Sequence, residues 1–171
     1  MHWAKHFNWT NLSIADAALG IEVLGTVRQP DLVISPDGNP YLYRWHIVRT
    51  PRASIYFHIQ VADDPERPLH DHPWDNQSVI LAGGYDEIYS PFPPNSYELT
   101  REVRAGDVVF RRAQEAHRLL LPKGIPYTMT LFSTGPKVRD WGFWYDDGWK
   151  PYTEVTRMID GQSVHVKGET K

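Results

Sequence analysis

Prolines and glycines punctuate this chain so closely that few stretches are long enough for a helix of ordinary length; there are 14 and 12 of them in 171 residues. Between them lie short runs rich in Val, Ile, Tyr, Phe and Trp, residues that suit a pleated, half-buried surface. The pattern predicts an all-β domain of many short strands, a barrel or sandwich. Strands are expected at Leu32–Ser35, Tyr41–Val48, Ala53–Val61, Leu69–His72, Ser78–Ala82 and Tyr85–Tyr89. Further strands are expected at Tyr97–Arg104, Val108–Arg111, Ala116–Leu121, Tyr127–Ser133 and Trp141–Tyr145. Alternation places Ile55, Phe57, Ile59 and Val61 on one face of their strand, with Tyr56, His58 and Gln60 on the other. Gly83-Gly84 predicts a hairpin between its flanking strands. One short N-terminal helix is expected, capped at Ser13, reaching Leu19 and stopped by Gly20.

A chain of this length suits one domain, here 1–171 with a core over 41–152 and a polar, loose tail over 160–171. Eighteen Lys+Arg against 21 Asp+Glu leave a net charge of −3, which argues against nucleic-acid binding through phosphate neutralisation. No run approaches the ~18 apolar residues of a membrane span, and residues 1–13 lack the apolar stretch of a signal peptide. Cysteine is absent, which excludes disulfides, thiolate ligands and a cysteine nucleophile. The expectation is a soluble cytoplasmic protein. A small molecule is the expected partner, and a homodimer is compatible with these features.

Eight histidines stand in the chain. His70 and His72 flank one residue, so an extended backbone points both rings to the same face, roughly 6–7 Å apart. The pair enters a strand ending at Gly83-Gly84. Gly106-Asp107-Val108-Val109-Phe110 comes after the next strands, and His117 lies eleven residues past Gly106. This arrangement resembles the two-part metal signature of the cupin superfamily, whose fold is a double-stranded β-helix, or jelly roll. The resemblance implies that His70, His72 and His117 are metal ligands, with Gly83 or Gly84 and Gly106 as the motif glycines. Its glutamate position falls on Asn76 or Gln77, so the implied site has three histidines and no carboxylate. A narrower likeness, over about Trp45 to Tyr152, is to small bacterial and phage cupins. It rests on His70-Asp71-His72-Pro73-Trp74, Gly84-Tyr85-Asp86-Glu87 and Thr134-Gly135-Pro136 with Trp141-Gly142-Phe143-Trp144.

Three neutral imidazoles leave the +2 charge of a metal uncompensated and several coordination positions open. A divalent transition metal is therefore expected, Fe(II) first, with Zn, Ni or Mn as alternatives. The functional readings are an Fe(II) oxygenase-type enzyme acting on a small polar or anionic molecule, a noncatalytic metal or small-molecule binding module, and a Zn, Ni or Mn hydrolase or isomerase. Asp71 or Asp75 could orient a ligand histidine, or cap the turns around Pro73. Tyr85, Glu87 and Tyr89 share a strand face. Turned inward, Glu87 with Tyr85 would be catalytic, as general base or fourth ligand; turned outward, Glu87 would be a solvated edge carboxylate. Arg44 and His46 share a face and are the candidate substrate-binding pair, with Trp74 walling the pocket. Arg111 and Arg118 are further candidates for an anion clamp. His58 is read as a satisfied barrel histidine or a cavity residue, and Trp141, Trp144 and Trp149 as packing of the last strand.

Overall fold

The computed structural model describes residues 21–23, 26–36, 38–65, 68–91, 97–159 and 162–165. In chain order the first elements are β1 (Ile21–Val23), β2 (Thr26–Arg28), β3 (Leu32–Ile34), β4 (Leu42–Arg49), β5 (Ser54–Gln60) and β6 (Leu69–His70). Then come β7 (Asn76–Ala82), β8 (Gly84–Ser90), β9 (Leu99–Arg104), β10 (Val108–Arg111), β11 (Ala116–Leu120) and β12 (Thr128–Thr134). The chain ends with β13 (Gly142–Tyr145), β14 (Gly148–Pro151), the single-turn α1 (Tyr152–Val155), β15 (Thr156–Ile159) and β16 (Gln162–His165). The strands expected from the sequence recur with their ends shifted by a few residues.

Two six-stranded antiparallel sheets form the body. The first has the order β10-β7-β12-β5-β4-β3 and the second the order β14-β13-β6-β11-β8-β9. From β5 to β13 the chain changes sheet at every step except β8 to β9, which form a hairpin. This is a jelly roll.

The glycine pair corrects one expectation. β7 and β8 lie in different sheets, so Gly83-Gly84 is a corner and not a hairpin turn. Gly83 has φ +70°, and a Cβ there would sit 2.1 Å from the Tyr127 carbonyl oxygen. A Cβ on Gly84 would sit 2.4 Å from the Val103 carbonyl oxygen. Both glycines serve close backbone approach, which a sequence pattern cannot distinguish from turn chemistry.

The alternation in β4 and β5 is as expected, but its polar face points into the molecule. Arg44, His58 and Thr130 are register partners across β4, β5 and β12, and they line the cavity between the sheets. The opposite face carries Tyr43, Trp45, Phe57, Ile59 and Met129, which form a buried apolar cluster. Trp45 is fully buried, and its indole N–H donates to the Arg28 carbonyl at the end of β2 (3.0 Å). Ile80, Tyr85, Val103 and Val109 form a second apolar cluster.

The N-terminal helix expected at 13–19 lies outside the described residues. Within the stretch 160–171 read as tail, Gln162–His165 pairs with Thr156–Ile159. Among the described residues no helix is long and apolar enough to cross a membrane.

Candidate metal centre

β-Register assembles the histidines. β6 and β11 pair so that His70 stands opposite His117, and Phe143 of β13 flanks His70 on its other side. His72 leaves the end of β6 with its backbone N–H on the Ala113 carbonyl (3.0 Å). The three rings offer ligand nitrogens that all lie within 4.8 Å of one another. His72 Nε2 and His117 Nε2 are 2.8 Å apart, so a proton or a cation must stand between them. Two nitrogens bound at ~2.1 Å can be separated by at most about 4.2 Å, so the widest of these spacings has to close by no more than about 0.6 Å for one ion to hold all three. Burial, with the His117 ring and the Arg111 charge nearby, holds His72 well below the ordinary imidazole pKa. A neutral ring is what a metal requires.

Behind His117 stands a buried charge network. Glu87 is fully buried on β8, and its Oε1 lies 2.7 Å from His117 Nδ1. With a proton on Nδ1, the ring presents the Nε2 lone pair to the other histidines. Arg111 Nε donates to the same carboxylate oxygen (2.6 Å), and Arg101 Nε donates to Oε2 (2.6 Å). Arg111 also donates to the Tyr85 hydroxyl (2.9 Å) and to Ser78 Oγ (3.2 Å). Burial pushes the Glu87 carboxyl up, but Arg111 and His117 outweigh it and hold it well below the usual carboxylate range. Burial likewise opposes the Arg111 charge, yet Tyr85 and Glu87 keep it above its ordinary value. The carboxylate stays ionised because cations surround it.

These contacts correct several readings of individual residues. Glu87 does turn inward, but both oxygens are engaged, so it stands behind His117 and is neither a free general base nor part of the three-residue cluster. Tyr85 lines the cavity with its hydroxyl held by Arg111. Arg111 is an internal ion-pair partner and not an open clamp. Asp71 does not touch a ligand histidine. The alternation that aligns His70 with His72 sends residue 71 to the other side. There its carboxylate accepts from Gly142 N (2.7 Å), Trp149 Nε1 (2.9 Å) and Trp144 Nε1 (3.2 Å), and it pairs with Arg139 (2.9 Å). Asp75 caps the 112–115 turn through Ala113 N (2.8 Å). At the motif's glutamate position Asn76 is buried, and its Oδ1 meets no hydrogen-bond donor among the described residues.

The cavity has a volume of about 320 Å³, and the three histidines open onto it. Trp74 walls it and stacks on His72 with centroids 5.1 Å apart and planes inclined at 13°. Trp141, read as packing, also lines it. Arg44 lines it, while His46 does not. At His46 a β-bulge interrupts the β4–β5 register, and its ring packs edge-on to Tyr56 (5.4 Å). The sequence reading missed Tyr41 and Asp64 as cavity residues; the Tyr41 hydroxyl hydrogen-bonds the Asp64 carboxylate, which also accepts from Leu119 N (2.7 Å). Asp64 sits in a polar loop, and nothing in its local sequence marks it as buried.

No protein-family model and no curated protein sequence matches the chain. Solved structures do. HppE in its Fe(II) form superposes with a TM-score of 0.51 at 16% identity, over 60% of this chain and 54% of that one. Fe(II)-HppE with the alternative substrate (S)-1-HPP gives 0.50 at 17%, over the same shares. The DMSP lyase DddQ from Ruegeria pomeroyi DSS-3 gives 0.50 at 18%, over 67% of this chain and 57% of that one. The chain spans a little more than half the length of these proteins. They are cupin-fold proteins. Two facing antiparallel sheets, a sheet-switching strand order and these superpositions establish that the chain has the cupin fold, with a three-histidine cluster set between its sheets.

Proposed function

We propose that this protein is a metal-dependent cupin enzyme that binds a small anionic substrate beside a divalent transition metal held by His70, His72 and His117. The observation that carries the reading is the all-imidazole donor set opening onto a cavity that also holds Arg44. With no carboxylate in that set, an anion entering the cavity gains more there than in water. Fe(II) is the preferred metal and the reaction class is oxygenase-type. When bound, such an ion supplies open positions for substrate and dioxygen. The protein's own residues do the rest. Glu87 holds the proton on His117 Nδ1 and fixes that ring's orientation. Trp74, stacked on His72, limits water at the centre and restrains that ring. Tyr85 brings a hydroxyl, oriented by Arg111, to the cavity wall.

Metal analysis of freshly purified protein tests the centre. One equivalent of metal per chain is expected, lost in His70→Ala, His72→Ala and His117→Ala with the β-sheet circular-dichroism spectrum retained. Unchanged metal content in all three variants would remove the site. Oxygen-electrode measurements on the Fe(II)-loaded protein across a panel of small carboxylates test the chemistry. Uptake that depends on one class of acid is expected. Binding of acids with no uptake would replace the enzyme with a binding module.

A further inference from the structure

We propose that Arg44 and His58 form an anion-recognition unit, in which a neutral histidine holds a half-buried guanidinium with its terminal nitrogens open to ligand, and that the ligand is a monocarboxylate with an apolar body. This deepens the reading above and rests on it for the use of the cavity as a ligand site.

Arg44 and His58 are register partners on β4 and β5, and both line the cavity. Arg44 Nε donates to His58 Nε2 at 2.9 Å, which requires that nitrogen to be unprotonated. The guanidinium carbon lies 4.9 Å from the Tyr56 ring centroid. His58 packs beside both Tyr56 and Phe132, at centroid distances of 5.8 and 5.2 Å with planes inclined at 15° and 24°, and those two rings lie 6.4 Å from each other. These two ring contacts oppose rotation of His58 away from Arg44. Burial and the Arg44 charge hold His58 well below the ordinary imidazole pKa, so the ring remains a neutral acceptor.

Arg44 thus has an acceptor but no counter-charge. Among the described residues no carboxylate pairs with it; burial works against its charge, and of the ionisable groups that act on it the Tyr56 and Tyr41 phenols are neutral near pH 7 and Arg49 is a like charge. The acids in and behind the cavity wall are already taken, Asp64 by Tyr41 and Leu119 N, and Glu87 by Arg111, Arg101 and His117. Desolvating a guanidinium without an anion is unfavourable, and a ligand carboxylate bound bidentately to Nη1 and Nη2 offsets it. In the metal-free cavity a single open arginine matches a monoanion better than a phosphate dianion, because the buried Arg111 is neutralised from within. Phe132 and Trp74, which meet edge to face at 5.5 Å, supply an apolar wall for the remainder of the ligand. A cavity of 320 Å³ has the volume of about ten waters, which suits a ligand of about ten non-hydrogen atoms.

Calorimetric titration of the metal-free protein with benzoate, benzamide and inorganic phosphate tests this. Benzoate should bind at least about tenfold more tightly than its neutral isostere benzamide and than phosphate. Arg44→Met should abolish the preference for benzoate over benzamide. His58→Gln, which keeps a neutral acceptor, should retain it. His58→Glu, which places a carboxylate beside Arg44, should lose it while zinc stoichiometry stays at one. Equal binding of benzoate and benzamide, tighter binding of phosphate, or an undiminished preference in Arg44→Met would overturn the proposal. Zinc titration of the same samples separates the two readings. Benzoate binding without zinc binding removes the metal centre and leaves the recognition unit standing; zinc binding without benzoate binding does the reverse.

Discussion

Glu87→Gln changes one heavy atom and removes one buried negative charge, so its consequences can be worked from the contacts. Glu87 is fully buried and Arg111 is 2% exposed at the side chain, whereas Arg101 is 35% exposed. Leaving Arg111 buried without its carboxylate costs about 3–5 kcal/mol. The half-solvated Arg101 contact adds no more than about 1 kcal/mol. In a domain of this size each kcal/mol lowers Tm by about 2–4 °C, so the metal-free variant should melt roughly 6–24 °C below the parent. The amide has one acceptor oxygen where three donors converge, and its NH₂ must face a cation. His117 is left with at most a neutral amide acceptor in place of a carboxylate, and metal affinity should fall about 10–100-fold. Thermal unfolding of the metal-free protein and competition for zinc against a chromophoric chelator read the two effects separately. Arg101→Ala is the control, with a loss below about 1 kcal/mol. A Glu87→Gln protein that melts within about 2 °C of the parent and binds zinc equally well would refute the network as the support of the site.

The same contacts set three further expectations. His58 and His72 are held neutral by burial, so the unfolded chain takes up protons near pH 6.5 that the folded chain does not. Stability of the metal-free protein should therefore fall as pH drops below about 6.5, by about 1.4 kcal/mol per unit for each ring and about 2.7 together. The Glu87 carboxyl, depressed in the folded state, keeps its contribution throughout this window and loses it only below about pH 4.3. Urea midpoints between pH 6.5 and 5.5 that correspond to uptake of less than half a proton would contradict the assignment. Asp71→Ala strips acceptors from two indole N–H groups and from Gly142 N and should destabilise by about 3–5 kcal/mol, measured by urea unfolding. Its zinc stoichiometry should stay at one, because that carboxylate faces away from the histidines. Gly83→Ala drives a Cβ to 2.1 Å from a backbone oxygen at positive φ and should cost about 3 kcal/mol or more. A parent-like urea midpoint would show that the corner can shift.

Local chain geometry accounts for the strands and for the His70–His72 pair, whereas the jelly roll and the third histidine, His117, were legible only through the likeness to a known two-part motif. Proline and glycine spacing limits element length, so the strands were legible to within a few residues. A period of two aligns His70 with His72 and, by the same geometry, turns Asp71 away from them. That second consequence was available from the sequence and bears directly on which acid can orient a ligand ring. How the neighbouring strands bring these groups together emerged only from the folded chain. His117 reaches the pair only because β11 lies beside β6, and Glu87 reaches His117 only because β8 lies on the other side of β11. The face of β5 that points inward belongs with them. Both faces of that strand are buried, so the apolar face of Phe57 and Ile59 could pack away from the cavity while His58 turned into it. Gly83-Gly84 likewise reads as a hairpin until the flanking strands are seen in different sheets. The physical reason is common to all four cases. Periodicity and turn chemistry act over a few residues, whereas register and sheet assignment are set by contacts between segments tens of residues apart, which no local pattern encodes.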